Sequence, residues 1–301
     1  MVNRKDVSAM QNFHVTETNF NFVKEKLPKR ISDSHKGTYG TVISVTGSCS
    51  MPGAAVLSGR GALRSGLGLL KQCAPRENIA ALAAGFPEPV YVPVKTDEDG
   101  FYSPENARML LGLSEKAQAV LIGCGLGCTD GTGKLVRNLL GSLSCPVVLD
   151  ADGLNCIAGS PEILCEISCP VIITPHPAEA ARLMGVSVSE IQADRYESIR
   201  RFTEKFPNVV TVLKGAGTLI GYGGRYRINT TGNPGMSPGG SGDVLAGITA
   251  SLLAQGMEVF DAAVCAVWLH GRAGDIAAQK YGMAGMIPSD MTEYIVFDWR
   301  N

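Results

Sequence analysis

The chain has little of several things that mark common protein classes. It holds four histidines in 301 residues, and no CxxC pair stands among its nine cysteines. That argues against a zinc ribbon or a His-rich metal centre. An odd number of scattered thiols in a chain this long also argues against a disulfide framework. Reduced cysteines serving as small core residues are the simpler reading. An excess of one charge is missing too: 27 Lys plus Arg against 28 Asp plus Glu leave a net charge of −1. Nothing here forms the electrostatic footprint of a nucleic-acid or anionic-membrane partner. No run of eighteen apolar residues is present to span a bilayer. The N-terminal MVNRKDVSAMQNFHVTETNF lacks the apolar stretch of a signal peptide. These absences describe a cytoplasmic protein that handles any phosphorylated ligand with local backbone and a few side chains. Long Pro/Ser linkers, repeats and charge blocks are also lacking, so a single domain over 1–301 is the simplest organisation.

What the chain does have is glycine, 36 of them, and an alternation of short β-branched runs with longer helical ones. Residues 1–30 read as a polar arm with a helix around Asn19–Leu27. Beyond them TVISVT (41–46), LLKQCA (69–74), AVLIG (119–123), CPVVLD (145–150), PVIITP (170–175) and VVTVLKG (209–215) read as strands, and 53–66 as a helix. LIGYGGRYRIN (219–229) carries Gly-Gly between two strand-like pieces and predicts a hairpin. From Gly242 on the chain is mostly helical. Strands alternating with helices imply βαβ units and a mainly parallel sheet covered on both faces, an α/β fold of three layers. Such sheets bind ligands beyond the carboxyl ends of their strands.

Those ends are where the informative residues fall. GSCSMPGAA (47–55) joins a strand to a helix with small residues that let a ligand approach the backbone. IGCGLG (122–127) is a poor GxGxxG, without the acid that a Rossmann site needs. DADGLN (150–155) puts Asp150 and Asp152 just past a buried strand, pointing in different directions if the chain is still extended. Asp152 as a helix cap and a ligand role weigh equally, and Asn155 could cap or contact ligand. TPHPAE (174–179) mounts His176 between two prolines, which stiffen its loop. His35 is less certain, His14 reads as a surface residue and His270 as a helix residue. VLKGAGT (212–218) delivers Lys214 at a strand end followed by small residues, fit to balance phosphate charge, though not in Walker A order.

NTTGNPGMSPGGSGD (229–243) is the most specific motif. Gly239, Gly240 and Gly242 permit a backbone whose amides converge, and the helix beginning near Asp243 adds the positive end of its dipole. That makes an anion hole for a phosphoryl group in flight. An acid fixed beside it can take a proton from an attacking hydroxyl. A plain Asp N-cap would account for Asp243 but not for GGSGD.

GGSGD before an apolar helix resembles the GxGD signature of the ribokinase-like superfamily. HKGTYG, GSCSMPGAA, IGCGLG, DADGLN, TPHPAE, VLKGAGT and NPGMSPGGSGDVLAG, in this order over roughly residues 20–297, resemble a narrower family. These are the ADP/ATP-dependent NAD(P)H-hydrate dehydratases, or YjeF C-terminal domain family. The resemblance implies a ribokinase-like three-layer fold and a repair reaction. In it ADP or ATP, with Mg²⁺, phosphorylates the ring hydroxyl of the S form of hydrated NADH or NADPH, and phosphate then leaves. It implies Asp243 as the base and Gly240, Ser241 and Gly242 as the anion hole. Lys214, Gly215, Ala216, Gly217, Thr218 and Gly242 would contact the nucleotide. Ala54, Gly125, His176 and Asp243 would contact the hydrate, with Asn155 a weaker candidate; no protein ligand for the metal is assigned. A homo-oligomer is implied, a tetramer being one option. Too few residues precede the first strand for the epimerase domain many members carry, so the epimerase is expected as a separate protein.

The chain departs from the family pattern in three places. Cys124 stands where proline is usual, which should loosen that turn, and Ala178 where glycine is usual, a mild change if φ there is negative. Ser237-Pro238 replaces Ala-Thr, which removes an amide donor at 238. A vitamin-precursor kinase of hydroxymethylpyrimidine or hydroxyethylthiazole type shares GxGD. HKGTYG with TPHPAE favours the dehydratase over it. A nucleotide sensor without turnover is the third reading, and the intact GGSGD counts against it.

Overall fold

The computed structural model describes residues 14–295. The first part of the N-terminal arm lies outside them. Ten strands form one sheet: β1 (Val15–Glu17), β2 (Thr41–Val45), β3 (Leu69–Pro75), β4 (Val90–Val94), β5 (Ala119–Ile122), β6 (Val147–Leu149), β7 (Val171–Ile173), β8 (Val209–Leu213), β9 (Thr218–Tyr222) and β10 (Arg225–Asn229). Their order is β1-β10-β9-β8-β7-β6-β5-β2-β3-β4. β2 to β8 run parallel, and β8-β9-β10 are antiparallel, with Tyr222 opposite Arg225 across the Gly-Gly turn. The hairpin expected there is present. The arm is more than an arm: β1 adds to β10 in parallel, and the helix Phe20–Lys26 follows, capped by the Asn19 side chain, which accepts from Phe22 N at 3.0 Å.

The central strands are near-continuous apolar runs because both of their faces are covered. Along β2, Val42 joins one core and Ile43 and Val45 the other, the alternation that a pleated strand imposes. The first core lies under the helices Pro52–Arg64, Ser241–Ala254 and Val259–Tyr281; the second lies under Asp130–Leu140, Pro177–Met184 and Arg195–Lys205. Ser241–Ala254 is apolar nearly all round and buried along most of its length, the mark of a helix with neighbours on every side. It crosses Pro52–Arg64 at backbone contact: a Cβ on Gly247 would stand 1.9 Å from the Ser58 carbonyl oxygen. Only glycine permits that approach, and the approach fixes where the first turn of Ser241–Ala254 sits relative to the strand ends.

Candidate active site at the switch point of the sheet

Chain connections leave β2 on one side toward β3 and β4, and leave β5 on the other toward β6, β7 and β8, while β2 and β5 pair with each other. A parallel sheet opens a crevice where its order reverses in this way. The loops after β2 and β5 meet there, Gly47 N donating to the Cys124 carbonyl at 2.7 Å. Gly125, with φ +60°, abuts Ala54: a Cβ on it would lie 2.6 Å from the Ala54 Cβ. Two of the residues predicted to face the hydrate therefore share one wall.

The floor is built from β6 and its neighbours. Asp150 is buried just past β6, and its Oδ1 accepts from Thr174 Oγ1 at 2.6 Å and from Lys214 Nζ at 2.8 Å. Its Oδ2 faces the buried Cys124 thiol, 3.6 Å away. Asp152 points elsewhere, but not because the chain stays extended, which would put residues two apart on one face: Ala151 turns the backbone, and Asp152 opens the short helix Asp152–Asn155, its Oδ2 accepting from Gly127 N at 2.8 Å and its Oδ1 from Asn155 Nδ2 at 3.3 Å. Asp152 is not a helix cap. That position belongs to Ala151, the one non-glycine among the described residues with positive φ, at +48°. Such a conformation persists only where surroundings dictate it, and it turns the chain so that successive acids serve different loops.

Asp243 is not an N-cap either. Gly240 caps Ser241–Ala254, with φ +100° and no space for a side chain, since a Cβ there would meet Leu57 at 2.5 Å. Asp243 is the third helical residue, on the turn that faces Asp150 and Cys124; one ligand atom from each of the three lies within 4.8 Å of the others. Burial and then the nearby Asp150 raise its carboxyl pKa to about 7, against the pull of the Cys124 hydrogen bond and Lys214. The first amides of a helix have no partner within it. The Ser241 amide makes a long bond to Pro238 O at 3.4 Å, and those of Gly242 and Asp243 have no backbone acceptor among the described residues. Of the residues expected to form the anion hole, Gly240 and Gly242 keep amides without a backbone acceptor among the described residues, and the Asp243 amide stands beside them. Pro238 contributes its carbonyl and, as expected, no amide.

Lys214 leaves β8 and turns into the same space. Burial disfavours its charge, but Asp150 and, at 3.9 Å, Glu179 outweigh that and raise its pKa. A Cβ on Gly242 would be 3.3 Å from its Nζ, so the GGSGD turn and the KGAGT turn touch. Arg195 holds the KGAGT turn in place: its guanidinium donates to the carbonyls of Leu213 (2.9 Å), Lys214 (3.3 Å) and Ala216. Gly215 and Gly217 have positive φ, and Thr218 Oγ1 donates to Gly215 O at 2.9 Å. Lys214 therefore reaches the acid cluster, while Gly215, Ala216, Gly217 and Thr218 form a braced rim beside it.

His176 caps the helix Pro177–Met184, its Nδ1 accepting from Ala178 N at 3.1 Å and Glu179 N at 3.4 Å. Its Nε2 lies 3.2 Å from Glu179 Oε1, leaving the ring half exposed. It joins the cluster only through Glu179 and Lys214. Asn155 is further off, tied to Asp152 and to Arg182 Nη1 at 2.7 Å. Ala178 is helical without positive φ, so alanine is tolerated there. Cys124 does more than loosen a turn, since it puts a buried thiol between two carboxylates. Burial, then Asp243, pushes its pKa well up, so it stays protonated. HKGTYG is not at the site: it precedes β2, at the opposite sheet end, where Gly40 packs on the Ala254 carbonyl and Gly68 on that of Lys36. His14 is exposed, as expected.

Sequence reasoning passed over Thr174, Glu179 and Arg195, and it placed His270 on a helix, where it is, without a part in the site. His270 is buried in Val259–Tyr281 and donates from Nε2 to the Ser241 carbonyl at 2.9 Å. Burial lowers its pKa to about 4, so the ring is a neutral brace for the Gly-rich turn. The HPAE spacing was a signal for Glu179, because it is a capping box in which Glu179 Oε2 accepts from His176 N at 2.8 Å. A surface hollow of about 360 Å³ between Pro52–Arg64 and Ile79–Gly85 gathers no comparable chemistry.

Comparison with known proteins agrees with this geometry. A family profile described as NAD(P)H-hydrate dehydratase matches residues 42–296. The chain is 37% identical over 294 residues to a bifunctional NAD(P)H-hydrate repair enzyme of Moorella thermoacetica, covering 97% of this chain and 55% of that protein. It thus spans about half the length of such relatives. It is 40% identical to an ADP-dependent (S)-NAD(P)H-hydrate dehydratase of Neisseria meningitidis serogroup B, over 85% of this chain and 83% of that one. A crystal structure of the ADP/ATP-dependent NAD(P)H-hydrate dehydratase of Bacillus subtilis, co-crystallised with ATP/Mg²⁺, superposes with a TM-score of 0.80 at 32% identity, covering 94% and 96% of the two chains. With its switch-point acids, its braced lysine turn and its ribokinase-like three-layer fold, the chain belongs to the NAD(P)H-hydrate dehydratase family.

Proposed function

We propose that this chain dehydrates the S form of hydrated NADH or NADPH at the expense of ADP or ATP, by phosphorylating the ring hydroxyl and expelling phosphate. The observation that carries the reading is Asp243. It is a carboxyl poised near pH 7 on the first turn of a helix, with the Gly242 amide and its own beside it and Lys214 across from them.

Each group has a task. The Asp243 carboxylate accepts the proton of the ring hydroxyl as that oxygen attacks the terminal phosphorus of the nucleotide. The helix-end amides and Lys214 face the charge that spreads over the transferring group, and they are in place before it forms. Gly215 to Thr218 and Gly242 give a side-chain-poor rim for the nucleotide, held by Arg195. The Ala54–Gly125 wall takes the hydrated ring, and His176 lines the approach. Asn155 acts through Asp152 and Arg182 as a positioning residue of the same rim. Asp150 fits Mg²⁺, since its buried carboxylate offers the oxygen a hard cation prefers, and the protonated Cys124 beside it does not compete. Bound with the nucleotide, Mg²⁺ would neutralise phosphate charge. Interconversion of the R and S hydrates is left to an epimerase, a separate protein or a domain as in the bifunctional relatives. We also propose a homo-oligomer, which light scattering would test.

The test is direct. Hydrated NADH is mixed with the protein, Mg²⁺ and either ADP or ATP, and dihydronicotinamide absorbance is followed. Recovery that depends on the nucleotide is expected and ranks the two donors. No recovery from folded protein overturns the reading and directs attention to small alcohols such as vitamin precursors.

A further inference from the structure

Two thiols near the site serve no step above. Cys128 is exposed, in the loop after β5, and Cys156 is buried at the end of the short helix that follows β6. Their sulfurs lie 3.9 Å apart. The two segments are already fastened together. Asp152 Oδ2 accepts from Gly127 N at 2.8 Å, Cys156 Sγ sits 3.8 Å from both the Gly127 carbonyl and Thr132 Oγ1, and Arg137 donates to the Cys156 carbonyl at 3.0 Å. An S–S bond of about 2.05 Å therefore asks for side-chain rotation and a small loop shift rather than the docking of distant elements.

We propose that Cys128 and Cys156 are a peroxide-responsive pair, and that their disulfide brakes the enzyme by pulling on the Gly125–Gly127 wall of the site. Cys128 reacts first because it alone of the two meets solvent. Its thiolate attacks one peroxide oxygen, the O–O bond breaks, and hydroxide leaves to become water; the sulfur, oxidised by two electrons, is a sulfenic acid. Cys156 then gives its proton to water and attacks that sulfur. The S–O bond breaks and a second water leaves. The sum is two thiols and one hydrogen peroxide giving one disulfide and two waters. Burial raises the Cys156 thiol pKa, which keeps it reduced until the sulfenic acid forms beside it. Cys165 supplies an internal control. It is also exposed, but its sulfur faces the Lys205 carbonyl at 3.5 Å.

The full-length protein is exposed to a small excess of hydrogen peroxide, its free thiols are alkylated, and its non-reduced peptides are mapped. A Cys128–Cys156 linked peptide is expected, and dithiothreitol should dissolve it. Cys156→Ser should stop at a Cys128 sulfenic acid, and Cys128→Ser should leave Cys156 reduced. Cys128 over-oxidised with Cys156 still free, a link to any other cysteine, or no oxidation of Cys128 would overturn the pair. The braking effect rests on the dehydratase reading. The linked protein should turn over hydrated NADH severalfold more slowly, recover with dithiothreitol, and be spared in Cys156→Ser. A linked protein with unchanged turnover would overturn the brake. Reduced protein with no turnover at all would instead count against the dehydratase reading and leave the mapping result standing.

Discussion

Asp243 holds its proton to about pH 7 in the fold, against 3.8 for an aspartate free in water. Between those values the native chain binds a proton that the unfolded chain has lost, so stability falls as pH rises through that window and the cost is complete above 7. At about 1.36 kcal/mol per tenfold, its ceiling is about 4 kcal/mol. Asp243→Asn should therefore raise Tm at pH 8 by on the order of 5 °C while costing about 10²–10⁴ in turnover, and the gain should vanish near pH 4. A structural cap would instead lose stability on substitution. If Asp243 is the base proposed above, kcat/KM should fall about tenfold per pH unit below pH 7, as that base is protonated. At this scale much was legible. Asp243, the glycines around it and Lys214 stood out by type and spacing, whereas the divergence of Asp150 and Asp152 comes from the positive φ of Ala151, which no strand pattern shows. What stayed hidden was pairing at a distance. His270 is separated by 29 residues from the Ser241 it braces, and no local pattern joins them. Arg195 likewise reads as an ordinary helix start until its guanidinium is seen holding three carbonyls.

Among elements, the contact between Pro52–Arg64 and Ser241–Ala254 aims the site. Gly247→Val would force a side chain into the Ser58 carbonyl, 1.9 Å from the new Cβ. The expected loss is more than about 3 kcal/mol in urea unfolding, at the upper end of overpacking. Lys214→Ala strips the cation from between the buried carboxylates of Asp150 and Glu179, so it should cost about 3 kcal/mol of stability. By calorimetry it should weaken ADP binding more than hydrate binding; equal weakening would undo the assignment of the KGAGT turn. Ala151→Gly should stabilise by about 1 kcal/mol, because glycine tolerates φ +48° that alanine endures. The strands of the middle of the sheet were readable because burial on both faces leaves unbroken β-branched runs. β4 was not, since VYVPV carries a proline that only an edge strand accepts, and β1 was not, since three residues make no pattern.

For the whole molecule the topology places the site more firmly than any one motif. The reversal of strand order between β2 and β5 brings segments from five strand ends to one crevice, and HKGTYG, at the far end of the sheet, serves the packing and not the chemistry. Nucleotide binding should report on this architecture as a unit: ADP with Mg²⁺ at a hundred times its Kd should add about 2.7 kcal/mol to the stability of the native chain. No helix among the described residues is long and apolar enough to cross a membrane. Asp243 is the base we propose for a nucleotide-driven hydrate dehydration. The measurement that tests it most directly compares turnover of hydrated NADH by the protein and by Asp243→Asn at pH 8, with ADP affinity determined on the same samples. Nucleotide-dependent recovery of dihydronicotinamide is expected from the former, at least a hundredfold less from the latter, with similar ADP affinity for both. Turnover by the Asn variant within tenfold of the unchanged protein would contradict that role.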